Sequence, residues 1–371
     1  MPFNTLDLFA GAGGLTEGFR EASSDFRTVR AVETDVDAVA TFNFNHGGQV
    51  ATPTDIRDWL AGGEPDALDV DVLIGGPPCQ GFSMLGKRDA NDKRNRLWEE
   101  YAHVIVRAAP KYFVVENVAA FLNTPQFHEF RRWTERGEYL QDWRFDKAVL
   151  NAADFGAPQA RRRAVLIGHH RDLPFPGWPE QTHARLGTFT LPAHRTVLDA
   201  FTGETIGKPI PSKAPKTWPG DVRDTNGPFR TAELHVDRNY QPISLRRFAM
   251  IPKGGSRFDL PDELLTPCWR SHRTGSGDVM GRLRWGDPSV TIRTEFFKPE
   301  KGRYLHPEEN RAITHWEAAR LQGFPDNYLW VGSRTSIARQ IGNAVPIPLG
   351  AAIGKVLHRA LSQDPTATKS A

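Results

Sequence analysis

The sequence predicts an α/β protein in which an open, mostly parallel sheet with flanking helices is accompanied by a smaller, loop-rich domain. The first observation is a strand-like run at 6–10 that enters a glycine turn at 11–14 and then apolar residues at helical spacing, which is how a βαβ unit opens. The second is a set of further short apolar runs, at 29–32, 70–74 and 111–118. The third is a change of composition at 174–299, where Pro, Gly, Arg, Trp and Thr are dense and long helical patterns largely stop.

Length and charge leave several classes of partner open. A chain of 371 residues exceeds the usual size of one core and predicts two domains. A formal net charge of +3 and a pI near 8.8 permit binding to nucleic acid without requiring it. A polyanion site must therefore come from local clusters of arginine.

Cysteine usage and hydropathy indicate the compartment. Two cysteines, Cys79 and Cys268, exclude a disulfide scaffold and indicate reducing conditions. No Cys/His cluster has zinc spacing, so we expect no metal. Residues 1–9 lack the basic start of a secretion signal, and no apolar run approaches the ~18 residues that span a bilayer. We expect a cytoplasmic protein with no membrane association.

The stretch at 75–83, GGPPCQGFS, carries the strongest chemical signal. It follows a short buried strand, so Cys79 is delivered at a strand's carboxyl end, where ligands bind in open α/β sheets. Two prolines restrict the backbone just before the thiol. A lone cysteine is more often a small buried hydrophobe. Rigid prolines and glycines favour a nucleophile, because a packing cysteine needs neither.

The glycine turn and two later carboxylates predict a nucleotide pocket. Glu33 ends the second strand roughly 20 residues after the glycines, where an acidic side chain can accept ribose hydroxyls. Asp55, followed by Ile56, closes a further unit. The alternatives are a turn that serves helix packing and carboxylates that are simply solvated. The glycine spacing departs from the dinucleotide fingerprint, which disfavours a dehydrogenase.

Candidate acid and anion-binding groups follow. Glu116 ends an apolar strand, where a carboxylate is costly to desolvate and is suited to proton transfer; a structural pair with a cation is the alternative. Arg161 and Arg163 enter a strand predicted at 164–168, and alternation predicts that both face one side. Two guanidiniums there suit a phosphate or a carbonyl oxygen.

Two basic regions are candidate nucleic-acid surfaces. The polar segment at 84–96 follows Cys79, and we expect it to close over a phosphate backbone. In the second domain, the segments 270–277 and 282–285 mix arginine, small residues and tryptophan, a composition that suits phosphate and base-edge contacts. The alternative is a disordered surface loop with no role for 84–96, and an ordinary basic loop for the segments of the second domain.

The motif at 77–83 resembles the catalytic loop of the DNA (cytosine-5) methyltransferases of bacterial restriction-modification systems, and other blocks of that family follow in order from Asp7 to Pro346. The resemblance implies a Rossmann-like methyltransferase domain at 1–180, a mainly β target-recognition domain at 181–337, and a C-terminal segment at 338–371 that returns to the first domain.

The resemblance also implies roles for individual residues. The catalytic group is Cys79, Glu116, Arg161 and Arg163. The methyl donor, S-adenosyl-L-methionine, which leaves as S-adenosyl-L-homocysteine, is assigned to Phe9, Gly11, Gly13, Gly14, Glu33, Asp55, Ile56, Pro78, Leu97, Asn343 and Val345. Contacts with double-stranded DNA are assigned to Gln80, Ser83, Lys87, Arg88, Arg270, Arg273, Arg282, Arg284 and Thr291. We expect a monomer, and a cognate restriction endonuclease that acts at the same site without stable binding.

The implied reaction begins with addition of the Cys79 thiolate to carbon 6 of a flipped cytosine, while Glu116 engages N3. The resulting nucleophilic carbon 5 takes the methyl group. One alternative is methylation of RNA, such as a transfer RNA, which the Gln80–Ser83 continuation and the large second domain disfavour. Another is a non-catalytic DNA-binding module, which the joint presence of Cys79, Glu116, Arg161 and Arg163 disfavours.

Overall fold

The structure, a computed structural model, describes residues 2–78, 96–202, 209, 227–271 and 274–363. The chain divides into two compact units. The first unit comprises Met1–Phe155, Arg162–Gln181 and Val345–Ala371, and the second comprises Gly156–Arg161 and Thr182–Ala344. Relative to the boundaries expected from the sequence, the second unit gains two short segments, 156–161 and 338–344.

The first unit is built on a seven-stranded sheet, as the sequence predicts. Its strands are β1 Phe3–Leu8, β2 Phe26–Glu33, β3 Ala51–Pro53, β4 Val72–Gly75, β5 Tyr112–Val118, β6 Trp143–Asn151 and β7 Arg162–His170. Its helices are α1 Gly14–Ala22, α2 Val36–His46, α3 Ile56–Ala61, α4 Leu97–Ala108, α5 Pro125–Trp133 and, near the C-terminus, α11 Ile347–Ser362.

The strand order is β3-β2-β1-β4-β5-β7-β6. The first five of these strands run parallel, and β7 is antiparallel to both β5 and β6. The order reverses between β1 and β4, and ligands of open α/β sheets bind outside the carboxyl ends of strands at such a switch point. The mostly parallel sheet with flanking helices is therefore confirmed.

The C-terminal helix α11 belongs to the first unit because it packs closely on α1. A Cβ atom on Gly18 would lie 2.7 Å from the backbone nitrogen of Ala351, and one on Gly354 would lie 2.8 Å from the Cβ of Ala22. Such distances are shorter than real Cβ contacts, so glycine is required where these two helices touch. The first and last helices thus close the same unit.

The second unit is loop-rich, as predicted, but the expectation that it is mainly β is wrong for the part of the chain that is described. Its helices there are α6 Val197–Phe201, α7 Pro242–Met250, α8 Pro267–Ser271, α9 His315–Leu321 and α10 Arg334–Asn343. Its only named strands there are β8 Phe229–Arg230 and β9 Leu329–Trp330. Buried arginines replace strand ladders as partners for backbone carbonyls.

Arg282 shows how the loops are held. Its side chain is buried, and its guanidinium donates to the carbonyl oxygens of Ile251, Phe248, His306 and Glu309 and to Oδ1 of Asn310. These bonds engage all of the guanidinium donors. Regular structure then resumes with α9, which starts with a capping box formed by Thr314 and Glu317.

No helix among the described residues is both long and apolar enough to traverse a lipid bilayer.

Candidate active site

Three strand ends meet at the switch point of the sheet. Leu8 of β1 pairs with Gly75 of β4, and Gly75 pairs with Val115 of β5. The residues that follow these positions, Phe9, Gly76 and Glu116, are therefore placed side by side at one edge. This edge is where the sequence predicts the active site.

The exit of β4 is narrow, and glycine is needed there. A Cβ atom on Gly75 would lie 2.3 Å from the carbonyl oxygen of Leu8. A Cβ atom on Gly76 would lie 3.2 Å from Oε2 of Glu116, tighter than an ordinary contact. The absence of both side chains lets the chain that leads to Cys79 pass directly beside the carboxylate.

Glu116 forms an ion pair with Arg163. Nε of Arg163 lies 2.8 Å from Oε1 of Glu116, and the two side chains are only 13% and 12% exposed. The register explains the pairing: Glu116 lies opposite Val165 across the β5 and β7 strands, and Arg163 is two residues before Val165 on the same face. Both interpretations of Glu116, catalytic carboxylate and cation-paired glutamate, are thus compatible with the geometry.

The contact pairs charges without forming a hydrogen bond. Oε1 of Glu116 is buried and has no hydrogen-bond partner among the described residues. Oε1 already lies 2.8 Å from Nε of Arg163. Acceptor directions for the N–H groups of a nucleobase are therefore supplied by Oε2, which lies beside Gly76.

Asn117 fixes the loop that precedes the predicted nucleophile. Its Nδ2 donates to the carbonyl oxygen of Pro77 over 2.9 Å, and this bond is buried. Its Oδ1 accepts from the backbone nitrogen of Val118. One side chain therefore ties the end of β5, beside Glu116, to a position two residues before Cys79.

Replacing Asn117 by alanine is expected to leave the Pro77 carbonyl oxygen buried and unpaired. We expect a loss of about 1–3 kcal/mol in the free energy of unfolding, and a larger fall in turnover than in cofactor affinity. Denaturant unfolding and single-turnover assays check this. Asn45→Ala is the matched control, since it removes another amide-to-carbonyl bond, to Thr41, away from the site. Equal effects of both changes on turnover would contradict the role of Asn117.

Arg161 does not share the strand of Arg163, and the expectation that both face one side is wrong. The strand begins at Arg162, while Arg161 belongs to a turn in which its backbone nitrogen donates to Gln159. Its buried guanidinium donates to the carbonyl oxygens of Ile292 and Gly342 within the second unit. Alternation applies only inside a strand, so it could not reach Arg161.

The glycine turn after β1 has the features of a nucleotide-binding turn. Phe9, Gly11 and Gly13 have positive φ angles of 57°, 54° and 86°. The backbone nitrogen of Gly11 donates to Oε2 of Glu33 over 3.0 Å, which joins the turn to the end of β2. Gly14 begins α1, whose N-cap, Gly13, supplies no side-chain cap. Nothing lies within 4 Å of a Cβ built on Gly11, so the turn is open on that side.

Glu33 retains acceptor capacity for a ligand. Its Oε1 accepts from the backbone nitrogens of Thr34 and Asp35, and its Oε2 accepts from Gly11. Each carboxylate oxygen has two lone-pair directions, so Oε2 can still accept from a hydroxyl group. The open turn and this carboxylate together fit an adenosine ribose.

The other cofactor candidates occupy element ends. Asp55 caps α3, accepting from Arg57, and Ile56 begins that helix as a buried residue. Leu97 begins α4, and Pro78 is the last described residue before the gap that ends at residue 96. Val345 belongs to the first unit, whereas Asn343 ends α10 in the second unit.

Two buried groups beneath the turn were missed from the sequence. Burial raises the pKa of Asp7 to about 7, and the charge of Glu33 adds to the rise while a hydrogen bond from Thr16 opposes it. Burial, with a contribution from Arg20, lowers the pKa of His46 to about 3, and its ring packs against Gly13. The sequence did hold a signal for Asp7, because it is an acidic residue within the apolar run at 6–10, where burial is expected.

The predicted DNA contacts have different surroundings. Arg282 does not fit its predicted role as a DNA contact. Its buried guanidinium is fully engaged by hydrogen bonds within the second unit and cannot reach a base. Arg270 and Arg284 are exposed, although Arg270 donates to the carbonyl oxygen of Asp262. Thr291 donates to the carbonyl oxygen of Ala160.

Several predicted residues lie outside the described part of the chain: Cys79, Gln80, Ser83, Lys87, Arg88 and Arg273. Their roles stay predictions. Within the described ranges, no group of three or more His, Cys, Asp and Glu side chains is arranged to hold a metal ion.

Comparisons with known proteins agree with this geometry. The sequence model of the C-5 cytosine-specific DNA methylases matches residues 3–359. The chain is 34% identical to the type II methyltransferase M.XorII of Xanthomonas oryzae, over 97% of this chain and 85% of that protein. It is also 34% identical to M1.HphI of Haemophilus parahaemolyticus, over 96% and 87%.

Among solved structures, a prophage-encoded E. coli protein described as a DNA modification methyltransferase aligns with a TM-score of 0.70. It is 24% identical and covers 97% of this chain and 100% of its own, a likeness that shows the fold. The S. pombe Dnmt2 methyltransferase aligns with a TM-score of 0.56 at 19% identity, covering 97% and 98%. On the match of the family model along nearly the whole sequence, the chain belongs to the C-5 cytosine-specific DNA methylase family.

Proposed function

We propose that this protein transfers a methyl group from S-adenosyl-L-methionine to carbon 5 of a cytosine within a specific double-stranded DNA sequence, as the modification enzyme of a type II restriction-modification system. The observation that carries the proposal is the Glu116–Arg163 pair at the aligned ends of β1, β4 and β5. The Asn117 bond to Pro77 fixes the backbone at the same edge, two residues before Cys79 in the sequence.

Each catalytic side chain has one task. The Cys79 thiolate adds to carbon 6 of the flipped cytosine, which pushes electrons toward carbon 5. Glu116 engages N3 and the amino group, so that the charge developing on the ring is neutralised. Arg163 holds the Glu116 carboxylate in place through their 2.8 Å contact. Loss of the carbon 5 proton after methylation expels the Cys79 sulfur.

The methyl donor fits the first unit. S-adenosyl-L-methionine, the cofactor of this family, supplies an activated methyl group when bound. The open side of Gly11 admits the nucleoside, and Oε2 of Glu33 accepts from a ribose hydroxyl. Asp55 and Ile56 would contact the adenine, and Phe9, Pro78, Leu97, Asn343 and Val345 would complete the proposed set.

DNA is favoured over RNA as the substrate. The matching family model is that of a DNA methylase, and the relatives compared above are type II methyltransferases. We also propose that the protein is a cytoplasmic monomer that shares its target sequence with a separate endonuclease without stably binding it. Arg270, Arg284 and Thr291 remain proposed DNA contacts, together with Gln80, Ser83, Lys87, Arg88 and Arg273.

Bisulfite sequencing of DNA from cells that express the protein tests the proposal. We expect cytosines in one short sequence context to become resistant to conversion, and purified protein with labelled S-adenosyl-L-methionine to label duplex DNA and not transfer RNA. Cells that express Cys79→Ala give the background. Labelling of transfer RNA alone, or conversion equal to the background, would contradict the proposal.

A further inference from the structure

A tightly turned loop at residues 183–195, which we name the tip loop, lies in the second unit between β7 and α6. The backbone nitrogen of Ala184 donates to Pro192, and that of His194 donates back to Ala184, both over 2.9 Å. Near the apex, the backbone nitrogen of Thr188 donates a hydrogen bond of 2.7 Å to the carbonyl oxygen of Leu191. The Thr188 hydroxyl in turn accepts from the backbone nitrogen of Leu191. The loop therefore has a defined shape.

Two large apolar side chains of this loop are exposed to solvent. Leu186 is 90% exposed and Phe189 is fully exposed, at 106% of its reference surface. Neither side chain contributes to the core of its unit, and the turn itself needs neither, because Gly187 and Thr188 form it. Exposed aromatic and aliphatic anchors on an ordered loop are typical of a binding surface.

The charge around these anchors favours a polyanion. The sequence from 181 to 198 contains Arg185, Arg195, His183 and His194 and no aspartate or glutamate. Burial lowers the pKa of His183, and the charge of Arg195 adds to the fall, so the positive charge of the loop comes from Arg185 and Arg195. The carboxylates that flank this stretch are Glu180 and Asp199. Hydrogen bonds from Thr196, the N-cap of α6, and the charge of Arg195 lower the pKa of Asp199.

The base of the tip loop is anchored within the second unit. Gly156 has a φ angle of 91°, and the His183 ring lies 2.9 Å from the position of a Cβ built on it. Gly156 opens the segment 156–161, and the chain passes from that segment directly into β7, which carries Arg163. His183 thus fixes one end of the tip loop against the segment 156–161 of the same unit.

We propose that the tip loop is a contact for duplex DNA, in which Phe189 and Leu186 enter a groove and press against base steps while Arg185 and Arg195 bind the flanking phosphates. Proteins that distort DNA use apolar wedges of these residue types in this way. A second copy of the chain is disfavoured because two cationic loops repel each other. The choice of duplex DNA rests on the proposed function, and the wedge also helps to offset the cost of base flipping.

Two double variants separate the two kinds of contact. The first is Leu186→Ala with Phe189→Ala, and the second is Arg185→Ala with Arg195→Ala. The control is Phe44→Ala, which truncates another exposed phenylalanine, on α2. The probe is a short fluorescent duplex of mixed sequence, chosen without reference to methylation, and anisotropy gives the dissociation constant at several salt concentrations.

The apolar double variant is expected to raise the dissociation constant about tenfold, as loss of one good wedge contact would, with an unchanged salt dependence. The arginine double variant is expected to weaken binding and to reduce the slope of log K against log salt by about two. Both double variants should keep the thermal stability and the S-adenosyl-L-methionine affinity of the wild type. The control Phe44→Ala should match the wild type in stability, cofactor affinity and DNA affinity.

Unchanged DNA affinity in both double variants would overturn the proposal. So would a loss of vesicle binding, or of dimers in sedimentation, without a loss of DNA affinity, since either would assign the loop to a membrane or to a second copy. A wild-type protein that binds the duplex but methylates no DNA would refute the proposed function alone, because the anisotropy experiment needs no turnover.

Discussion

Replacing Cys79 by serine is expected to abolish methyl transfer, with a fall of at least about 10⁴-fold in turnover. A hydroxyl is far less ionised than a thiol at neutral pH and is a weaker nucleophile toward carbon 6. Filter binding of DNA labelled from tritiated S-adenosyl-L-methionine measures the rate. Binding of the methyl donor and of DNA should persist, since the serine side chain differs by a single atom.

The second cysteine supplies the control for this substitution. Cys268 is exposed, at the short helix α8 of the second unit. Cys268→Ser should retain the turnover of the wild type within about twofold, as surface substitutions usually do. A Cys79→Ser protein with wild-type turnover would refute the nucleophile, whatever the behaviour of the control.

Replacing Glu116 by glutamine is expected to lower turnover about 10²–10⁴-fold, the range typical of a lost general acid–base or charge-stabilising group. The amide cannot supply a proton to N3, and it also removes the charge that holds Arg163 at 2.8 Å. The fall should appear in kcat under saturating DNA and S-adenosyl-L-methionine. Rapid-quench kinetics on a hemimethylated duplex checks the chemical step.

Glu138→Gln is the matched control, because Glu138 forms an ion pair with Arg132 on the surface of the same unit. Partial recovery of kcat in Glu116→Asp, together with a changed pH profile, would distinguish a proton-handling role from a purely structural one. If Glu116→Gln lowered stability and left kcat intact, the pair with Arg163 would be structural, and the catalytic assignment would be wrong.

The elements around the candidate site were predictable where the signal is local. The run into the glycine turn, Glu33 at the end of β2, the start of α4 at Leu97 and the Thr314 capping box each depend on a few neighbouring residues. Local periodicity and capping chemistry are enough to place such elements.

Features that depend on distant parts of the chain were not predictable. The approach of Arg163 to Glu116 requires the antiparallel pairing of β7 with β5. Arg161 was predicted to be catalytic and Arg282 to contact DNA, but both are buried donors to backbone carbonyls of the second unit. The sequence shows only that an arginine is present. The tertiary structure shows whether its guanidinium N–H groups already donate hydrogen bonds to backbone carbonyl oxygens.

The most direct test of the central claim is to trap the bond between the sulfur and the base. A duplex with 5-fluorocytosine at the target position cannot lose its carbon 5 substituent, so the wild-type protein with S-adenosyl-L-methionine should form a stable covalent adduct. Peptide mapping by mass spectrometry should place the added nucleotide on Cys79. An adduct on another residue, or methylation of normal DNA with no adduct on the fluorinated duplex, would contradict the account.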